Sequence, residues 1–320
     1  MEQFGTKLVR VRILPAFIIV VSFLSLNGCA GLQSKTVKLP RSTIVTPKII
    51  DGFSSPESVI ADPVGKRLFV SNVGEKLEPS TKDKDGFISE LSLDGAVLTE
   101  KYLPKDGVLH APKGMAIIGH TLFVTDIDRV VGFDMVTREK TFEIDLSSEE
   151  TLFLNDLTVF DDTTLFVSAT DVGKIYKILL DFPARFALLA ENISGVNGLY
   201  FDRTSNNLYV VSFGEETNFN GELGVISFED DRPKYQKLTE QVGGLDGVAI
   251  LPDSRVVFSD WVAFDKTGLM RTYDLNTKEL SIIDLSEEVR GPADFFYDER
   301  NNNLWLPKML EGKILIEKIK

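Results

Sequence analysis

The sequence is poor in the residues that most often bind transition metals. It has one cysteine and two histidines among its 320 residues. Because Cys29 has no second cysteine to pair with, an internal disulfide is excluded. His110 and His120 are too few for a histidine-rich zinc site. The composition therefore excludes a disulfide-stapled fold and histidine-rich zinc chemistry.

Positive charge is also scarce. The chain has 35 lysine and arginine residues against 48 aspartate and glutamate residues, which gives a formal net charge of −13. Residues 1–28 contribute three cations and one anion, so the chain that follows them carries −15. A surface with this charge repels the phosphates of nucleic acids and of anionic lipids. We therefore expect no nucleic-acid partner and no direct adhesion to a membrane.

An apolar stretch lies near the N-terminus, at residues 13–26. Its 14 residues fall short of the roughly 20 that a membrane-spanning helix needs, and three basic residues precede it. The segment LNGC, which ends at Cys29, resembles a bacterial lipobox, with an aliphatic and a small residue before the cysteine. This resemblance predicts a lipoprotein signal peptide at residues 1–28 and lipidation of Cys29. An ordinary secretory signal with an incidental cysteine is the alternative.

The residues after Cys29 bear on where such a lipoprotein would reside. Ala30 rather than aspartate follows the cysteine, which by the same resemblance favours the outer membrane over the inner one. Residues 29–41 are mostly polar and aperiodic, and we interpret them as a tether. We therefore expect a cell-envelope protein on the periplasmic side of the outer membrane, attached only through its lipid. Residues 42–320 would form its folded domain.

Six related segments repeat along residues 42–320, at spacings of 42 to 56 residues. Each begins with a short apolar strand and continues, usually after a turn rich in Asp, Asn, Gly or Ser, with a second strand. A third strand follows in all six, and a fourth, more polar strand follows in five. The first strands are PESVIAD (56–62), PKGMAII (112–118), LNDLTVF (154–160), VNGLYFD (196–202), LDGVAIL (245–251) and ADFFYDE (293–299). Four antiparallel strands in repeats of this length are typical of propeller blades, so we predict an all-β, six-bladed β-propeller.

The two ends of the repeat region are expected to complete each other. The sixth repeat reaches Lys320 directly after its third strand and lacks a fourth. Residues 42–51 form a strand without a repeat of its own, in the position that a fourth strand occupies before every other first strand. We therefore predict that this strand completes the sixth blade and closes the ring, which removes exposed sheet edges. An open sandwich with incidental repeats is the alternative.

Polar residues occupy one equivalent position near the start of each first strand. In a propeller the first strand of each blade lines the central channel, so these side chains should converge there. They are Glu57, Lys113, Asn155, Asn197, Asp246 and Asp294. Burying such groups without partners costs about 1–3 kcal/mol each, so the ring should have a partner. Five of the six offer oxygen donors and their total formal charge is −2, which suits Ca²⁺.

Two other interpretations of this ring remain open. Asn and Asp also start strands through hydrogen bonds to the local backbone, so NDL, NGL and DGV could each be local turns. Lys113 could instead pair with Asp294 or Glu57 without any metal. His110, three residues before Lys113, is interpreted as a packed loop residue.

At these positions the chain resembles the regucalcin–gluconolactonase family of six-bladed propellers, whose relatives include paraoxonase and diisopropyl fluorophosphatase. The resemblance covers about residues 42–320 and is carried by SPES, NDLT, VNGL and LDGV. It implies that Glu57, Asn155, Asn197 and Asp246 bind a calcium ion at the base of a pocket, with another divalent cation as an alternative. It also implies hydrolysis of a small-molecule lactone or of a related ester or phosphoester.

The chemistry expected of this site centres on Asp246. A bound cation polarises a carbonyl or phosphoryl oxygen, and Asp246 would activate water as a general base or attack directly. A cation also lowers the basicity of a carboxylate that binds it, which leaves both roles open.

The chain departs from this family at the second and sixth positions of the ring. Lys113 and Asp294 stand there, and neither histidine matches a catalytic position of the relatives. We expect Lys113 and Asp294 to contact the substrate, with a structural counter-ion as the alternative for Lys113. Trp261 is a candidate for stacking on the ligand. The pocket walls are expected to come from residues 73–87, 213–221 and 261–266.

A non-catalytic function competes with the hydrolase. Metal-free members of the same superfamily, of the strictosidine-synthase type, indicate that the fold does not guarantee the chemistry. The missing catalytic histidine and the presence of Lys113 favour a periplasmic propeller that binds a ligand or a protein. The four oxygen ligands favour a calcium-dependent hydrolase of the lactonase or arylesterase type, which is the function that we predict.

Overall fold

The computed structural model describes residues 44–215, 217–229 and 233–319. Across these ranges it contains 24 strands, and its only helical elements are the 3-10 turns Ser147–Glu149 and Met309–Glu311. No helix in these ranges is long and apolar enough to span a membrane. The predicted signal peptide, Cys29 and the tether lie outside the described residues.

The strands form six four-stranded antiparallel sheets, which confirms the six-bladed β-propeller. The first blade contains β2 (Pro56–Asp62), β3 (Arg67–Asn72), β4 (Phe87–Ser92) and β5 (Val97–Leu103), and the second contains β6 (Pro112–Ile118), β7 (Thr121–Asp126), β8 (Arg129–Asp134) and β9 (Lys140–Asp145). The third contains β10 (Leu154–Asp161), β11 (Thr164–Ala169), β12 (Lys174–Leu179) and β13 (Arg185–Ala190). The fourth contains β14 (Val196–Asp202), β15 (Asn207–Ser212), β16 (Leu223–Ser227) and β17 (Tyr235–Lys237), and the fifth contains β18 (Leu245–Ile250), β19 (Arg255–Asp260), β20 (Leu269–Asp274) and β21 (Leu280–Ile283).

The sixth blade joins the two ends of the propeller. It contains β22 (Phe296–Asp298), β23 (Asn303–Lys308) and β24 (Lys313–Lys318), and its outermost strand is β1 (Lys48–Asp51). The pairing of β1 with β24 confirms that the N-terminal strand closes the ring. Among the described residues, the ladder begins at Lys48, directly after Pro47, which has no N–H to donate.

Burial follows the position of each strand within its blade. The second strands are almost entirely buried, as in β11, whereas the outer strands β5 and β9 are mostly exposed. This gradient matches the sequence, because the second strands contain apolar runs such as LFV and VVF, whereas outer strands such as KTFEID contain interspersed charges.

The core consists of apolar layers between neighbouring blades. The layer between the sixth and first blades combines Ile50, Trp305 and Ile316 with Leu68 and Leu91. Full burial of one such side chain stabilises the fold by about 1.5–3 kcal/mol. Closure of the ring is therefore supported by packing as well as by the β1–β24 ladder.

Candidate metal-binding site in the central channel

All six blades share a break in the pairing between their first and second strands. In the first blade, Pro56 pairs with Asn72 and Val59 pairs with Val70, so three steps along one strand match two along the other. The same one-residue shift follows the starting residues of the other five blades, Pro112, Leu154, Val196, Leu245 and Pro292. A β-bulge of this kind leaves a residue outside the ladder and redirects its side chain. The residue after each starting position can therefore face the channel.

Hydroxyl groups on the second strands satisfy the backbone at these bulges. Three bulged N–H groups donate to them: Ser58 to Ser71 Oγ (2.9 Å), Asp156 to Ser168 Oγ (2.9 Å) and Gly247 to Ser259 Oγ (2.8 Å). A buried donor that leaves the ladder needs such a partner. The serines of the FVS and VFS segments therefore help to build the site.

Glycines allow neighbouring bulges to approach each other closely. A Cβ on Gly198 would lie 2.1 Å from the backbone oxygen of Asp246, and a Cβ on Gly114 would lie 2.5 Å from Cα of Asp156. The glycines of the NG and KG pairs are therefore required by the next blade rather than by a local turn.

Five of the six predicted ring residues line one cavity of about 740 Å³. They are Glu57, Lys113, Asn155, Asn197 and Asp246, and each is at most 5% exposed. All three predicted loops contribute to its walls, through Leu77 and Pro79, through Phe213, Gly214, Glu215 and Asn218, and through Trp261 and Phe264. The cavity thus has a polar, buried part and a more apolar mouth.

Four buried oxygens in this cavity have no hydrogen-bond partner. They are Glu57 Oε2, Asn155 Oδ1, Asn197 Oδ1 and Asp246 Oδ1, one from each predicted metal ligand. An unpaired buried acceptor costs about 1–3 kcal/mol, and more when it is charged. The fold therefore concentrates four desolvated oxygen donors that a hard cation would satisfy.

Burial and mutual repulsion disfavour the ionised forms of the two carboxylates in this set. Burial raises the pKa of Glu57 well above its usual range, and the charges of Asp246 and Asp294 raise it further. Burial also raises the pKa of Asp246 to about 7, against the lowering effect of a hydrogen bond from Trp261. A bound divalent cation would lower the pKa values of both carboxyl groups, because an adjacent positive charge favours the ionised form.

The chemistry of the donors fits calcium. Within the described ranges, no group of three or more His, Cys, Asp or Glu residues lies close enough to hold a metal ion. The candidate set instead combines two carboxylates with two amides, and oxygen-only donors are what Ca²⁺ prefers. Four protein oxygens would leave coordination positions for water or substrate.

Trp261 contacts a candidate ligand directly. Its indole Nε1 donates to Asp246 Oδ2 at 2.8 Å. The ring also makes edge contacts with Phe213 and Phe264, with centroids 5.9 and 5.7 Å away. The indole therefore occupies one oxygen of Asp246 and leaves the other, Oδ1, for a further partner. Stacking of Trp261 on a ligand stays a prediction.

Lys113 is buried and bonded to the backbone. Its Nζ donates to the carbonyl oxygens of Pro79 at 2.6 Å and Ala111 at 3.1 Å, and it lies 4.5 Å from the ring centroid of Phe153. Burial lowers its pKa to about 8, against the opposing charge of Glu57. Among the ion pairs of the described residues, none joins Lys113 to a ring carboxylate.

Asp294 does not line this cavity, so its predicted place in the ring needs correction. In the sixth blade, the residue directly after the starting residue Pro292 is Ala293, and the pairing shift lies between Pro292 and Phe296. Ser259 Oγ donates to the backbone oxygen of Ala293 at 3.0 Å, as Thr125 Oγ1 donates to that of Asn155 at 2.5 Å. The sixth ring position is therefore apolar.

Asp294 instead lies in a separate cleft, together with Asp156. It accepts a hydrogen bond from Ser58 Oγ at 2.5 Å, and burial raises its pKa to about 7. The sequence contains a signal for the correct alignment, because the first two blades begin with proline followed by the ring residue. Pro292 followed by Ala293 repeats that order.

Histidine is missing from the cavity, as the sequence indicates. His110 lies in a different cleft, with Lys82 and Arg129. Phe153, Thr170 and other lining residues carry no sequence signal of their own, because they come from the segments that lead into and out of the strands.

Fold and site together define a class: a six-bladed β-propeller with a buried cluster of oxygen donors in its channel. No protein-family model and no curated protein matches the chain at significant similarity. Membership of the regucalcin–gluconolactonase family therefore stays a prediction.

Solved structures do resemble the chain in fold. The hydrazine synthase of Kuenenia stuttgartiensis superposes with a TM-score of 0.58 at 15% identity, over 86% of this chain and 76% of that one. A protein of Bacteroides uniformis, provisionally named a 6-phosphogluconolactonase, gives 0.56 at 11% identity, over 83% and 86%. Virginiamycin B lyase of Staphylococcus aureus gives 0.55 at 11% identity, over 84% and 97%. At such identities the likeness concerns the fold alone.

Proposed function

We propose that this protein is a calcium-dependent hydrolase of a small-molecule lactone or ester, of the lactonase or arylesterase type. The observation that carries the proposal is the set of four unpartnered oxygens of Glu57, Asn155, Asn197 and Asp246 in one cavity. The names of two fold neighbours, a provisional 6-phosphogluconolactonase and a lyase, lend weaker support.

The four ligand residues would hold the cation, and Asp246 would also take part in the reaction. Calcium, when bound, polarises a carbonyl or phosphoryl oxygen as a Lewis acid. As a general base, Asp246 would take a proton from the attacking water. As a nucleophile, its carboxylate oxygen would displace the alcohol oxygen from the carbonyl carbon, and water would then hydrolyse the resulting anhydride to the product acid and free Asp246. In both cases the indole N–H of Trp261 holds the orientation of the carboxylate.

The two roles of Asp246 differ in where oxygen from water ends up. A single turnover in ¹⁸O-labelled water transfers the label to the product acid if Asp246 is a general base. If Asp246 is the nucleophile and water attacks its carboxyl carbon, the same single turnover places the label in the Asp246 side chain and leaves the product acid unlabelled. Mass spectrometry of the peptide that contains Asp246 distinguishes the two outcomes.

The cavity has the size of a small-molecule site. Its volume of about 740 Å³ falls within the range of ordinary ligand pockets. Phe213, Phe264 and Leu77 supply apolar surface at its mouth, above the buried polar ring. This arrangement fits a substrate whose reactive carbonyl reaches the ring while the rest of the molecule contacts the mouth.

A propeller that binds a ligand without turning it over is the second candidate. Two observations favour it. No histidine is among the described residues that line the cavity, and Lys113 already donates to two carbonyls. Proton transfer would then depend on carboxylates alone.

A panel of lactones and aryl esters, assayed with calcium and with chelator, separates the two candidates. A hydrolase shows turnover that chelation or Asp246→Asn reduces by about 100-fold or more. A binding protein shows a calcium-dependent rise in melting temperature without turnover. Hydrolysis that survives both chelation and Asp246→Asn would contradict the proposed mechanism.

We also propose that lipidation of Cys29 attaches the protein to the periplasmic side of the outer membrane. Only the N-terminal sequence supports this proposal. Cys29→Ser should move the protein from the membrane fraction to the soluble periplasm. A variant that stays in the membrane fraction would contradict it.

A further inference from the structure

The loop between β3 and β4, residues 73–86, forms one wall of the cavity through few contacts. Its two ends are held by backbone, through the hydrogen bond from Gly74 N to Ser54 O at 3.2 Å and the bridge between Gly86 and Leu109. Between these ends the residues are exposed, except for partly buried Pro79 and Asp85. The hydrogen bonds within the loop, such as that from Glu75 N to Asp85 Oδ2 at 3.0 Å, join loop residues only to one another. Contacts from elsewhere therefore hold the middle of the loop against the rest of the protein.

Two lysines provide such contacts, from opposite directions. Lys113 extends from the buried ring, and its Nζ donates to the backbone oxygen of Pro79 at 2.6 Å. Lys82 extends from the loop, and its Nζ pairs with Asp128 Oδ2 at 2.5 Å. The first contact holds the part of the loop that places Leu77 and Pro79 in the cavity wall. The second contact holds the part of the loop around Lys82.

Hydrogen bonds occupy most of the N–H donors of the Lys113 ammonium group. Of its three N–H donors, one bonds to Pro79 and another to Ala111, while the Phe153 ring lies 4.5 Å away. The side chain is 1% exposed. An anion could use only the third N–H, unless Lys113 released a carbonyl and, in the case of Pro79, the loop attached to it.

We propose that Lys113 is a positioning residue that fastens the 73–86 loop over the cavity, and that the cavity consequently takes substrates without a phosphate or carboxylate group. Lys113 is the one cation among the described residues that line the cavity, whereas Glu57, Asp171, Glu215 and Asp246 are acidic. A substrate anion would find no free positive charge there, apart from the proposed cation. The consequence for substrates rests on the proposed hydrolase, but the fastening of the loop does not.

Proteolysis of the loop tests the fastening without any substrate. Glu75 and Glu78 lie in the loop and are targets for a glutamate-specific protease in every variant. In Lys113→Met we expect cleavage at these sites to be about tenfold faster or more, because local opening costs less free energy. Lys82→Met, which releases only the part of the loop around Lys82, should give a smaller increase in the cleavage rate. Lys105→Met, at an exposed position, should match the wild type.

The remaining measurements test how calcium and anions change the melting temperature. The calcium-induced rise in melting temperature should persist in Lys113→Met, since Lys113 is not among the ligands. Inorganic phosphate and a phosphorylated sugar lactone should leave the melting temperature of the wild type unchanged. The hydrolase should prefer an uncharged lactone over its phosphorylated counterpart.

Two results would overturn the proposal. One is a wild-type rate of loop cleavage in folded Lys113→Met. The other is stabilisation of the wild type by phosphate or by the phosphorylated lactone, with loss of that stabilisation in Lys113→Met. If Lys113→Met does not fold, Lys113→Gln takes its place in the cleavage assay, and the anion measurements on the wild type test the consequence for substrates. Absence of all hydrolysis would refute the proposed function while leaving the cleavage result to judge the fastening.

Discussion

At the scale of single residues, the pairing of Trp261 with Asp246 is the most informative contact of the site. The indole N–H uses Oδ2, and Oδ1 stays buried without a partner. A hydrogen bond to a charged group contributes about 1.5–3 kcal/mol. The bond therefore favours the ionised carboxylate, which is the form that binds a cation, and restricts its rotation.

We predict that Trp261→Phe weakens calcium binding by about tenfold, since it keeps an aromatic ring but removes the donor to Asp246. Calorimetric titration with calcium measures this change. Trp305→Phe is the matched control, because Trp305 packs between the first and sixth blades and does not line the cavity. Equal calcium affinities for the two variants would contradict the positioning role of Trp261.

At the scale of the strands, the bulge at the start of each first strand builds the site. It takes one residue out of the ladder, and in three blades a serine of the second strand accepts a hydrogen bond from the freed backbone N–H. Small residues after the ring positions allow neighbouring bulges to meet. This repeated irregularity lets four candidate ligands on four different blades face the same cavity.

We predict that Gly198→Ala destabilises the protein by about 1–3 kcal/mol, because the added Cβ would lie 2.1 Å from the backbone oxygen of Asp246. Denaturant unfolding measures the loss. Gly107→Ala is the control: its Cβ would contact nothing within 4 Å, so only the cost of its positive φ, about 1 kcal/mol, applies. Calcium affinity should fall in Gly198→Ala and stay unchanged in Gly107→Ala.

The strands and loops also show which features of the fold and of the site could be predicted from the sequence. The repeated strands, the closure by β1 and four potential ligands were predictable, because strand periodicity and repeat spacing depend on local sequence. Asp294 was placed one residue out of register, because ADFF has an apolar residue where the other blades have a polar one. The hydrogen bond of Trp261 and the contact of Lys113 with Pro79 join distant segments, and no local pattern encodes such contacts.

At the scale of the whole molecule, the fold buries acidic side chains whose ionised forms are unfavourable. Burial raises the pKa values of Glu57 and Asp156 well above their usual range, and those of Asp246 and Asp294 to about 7. These four acids, two in the cavity and two in the cleft that contains Asp294, are therefore more easily protonated in the folded state than in the unfolded chain. Ring closure through β1 and β24 helps to hold them together against this repulsion.

The sign of the pH dependence follows from linkage. In the unfolded chain these carboxyl groups have pKa values of about 4, and in the folded state their pKa values are higher. At pH values between the two, the folded state therefore binds more protons than the unfolded state. For Asp246 and Asp294, the contribution to stability is thus fully present below about pH 4 and is lost as pH rises through about 7. The raised pKa values of Glu57 and Asp156 make stability change in the same direction.

We predict that the melting temperature of the calcium-free protein falls between pH 5 and pH 8, and that calcium raises it more at pH 8 than at pH 5. Calcium competes with protons for Glu57 and Asp246, so it binds best when both are ionised. Thermal melts with chelator and with calcium at several pH values measure both trends. A calcium effect independent of pH would contradict the assignment of these carboxylates as ligands.

The most direct test of the central claim is calorimetric titration of the wild type and of Glu57→Gln with calcium, with Glu139→Gln as an exposed control. We predict one calcium site in the wild type and in Glu139→Gln, and an affinity lower by about tenfold or more in Glu57→Gln, which loses a charged ligand. At a calcium concentration 100 times the wild-type Kd, binding should stabilise the wild type by about 2.7 kcal/mol. No calcium binding by the wild type, or equal binding by Glu57→Gln, would contradict the account.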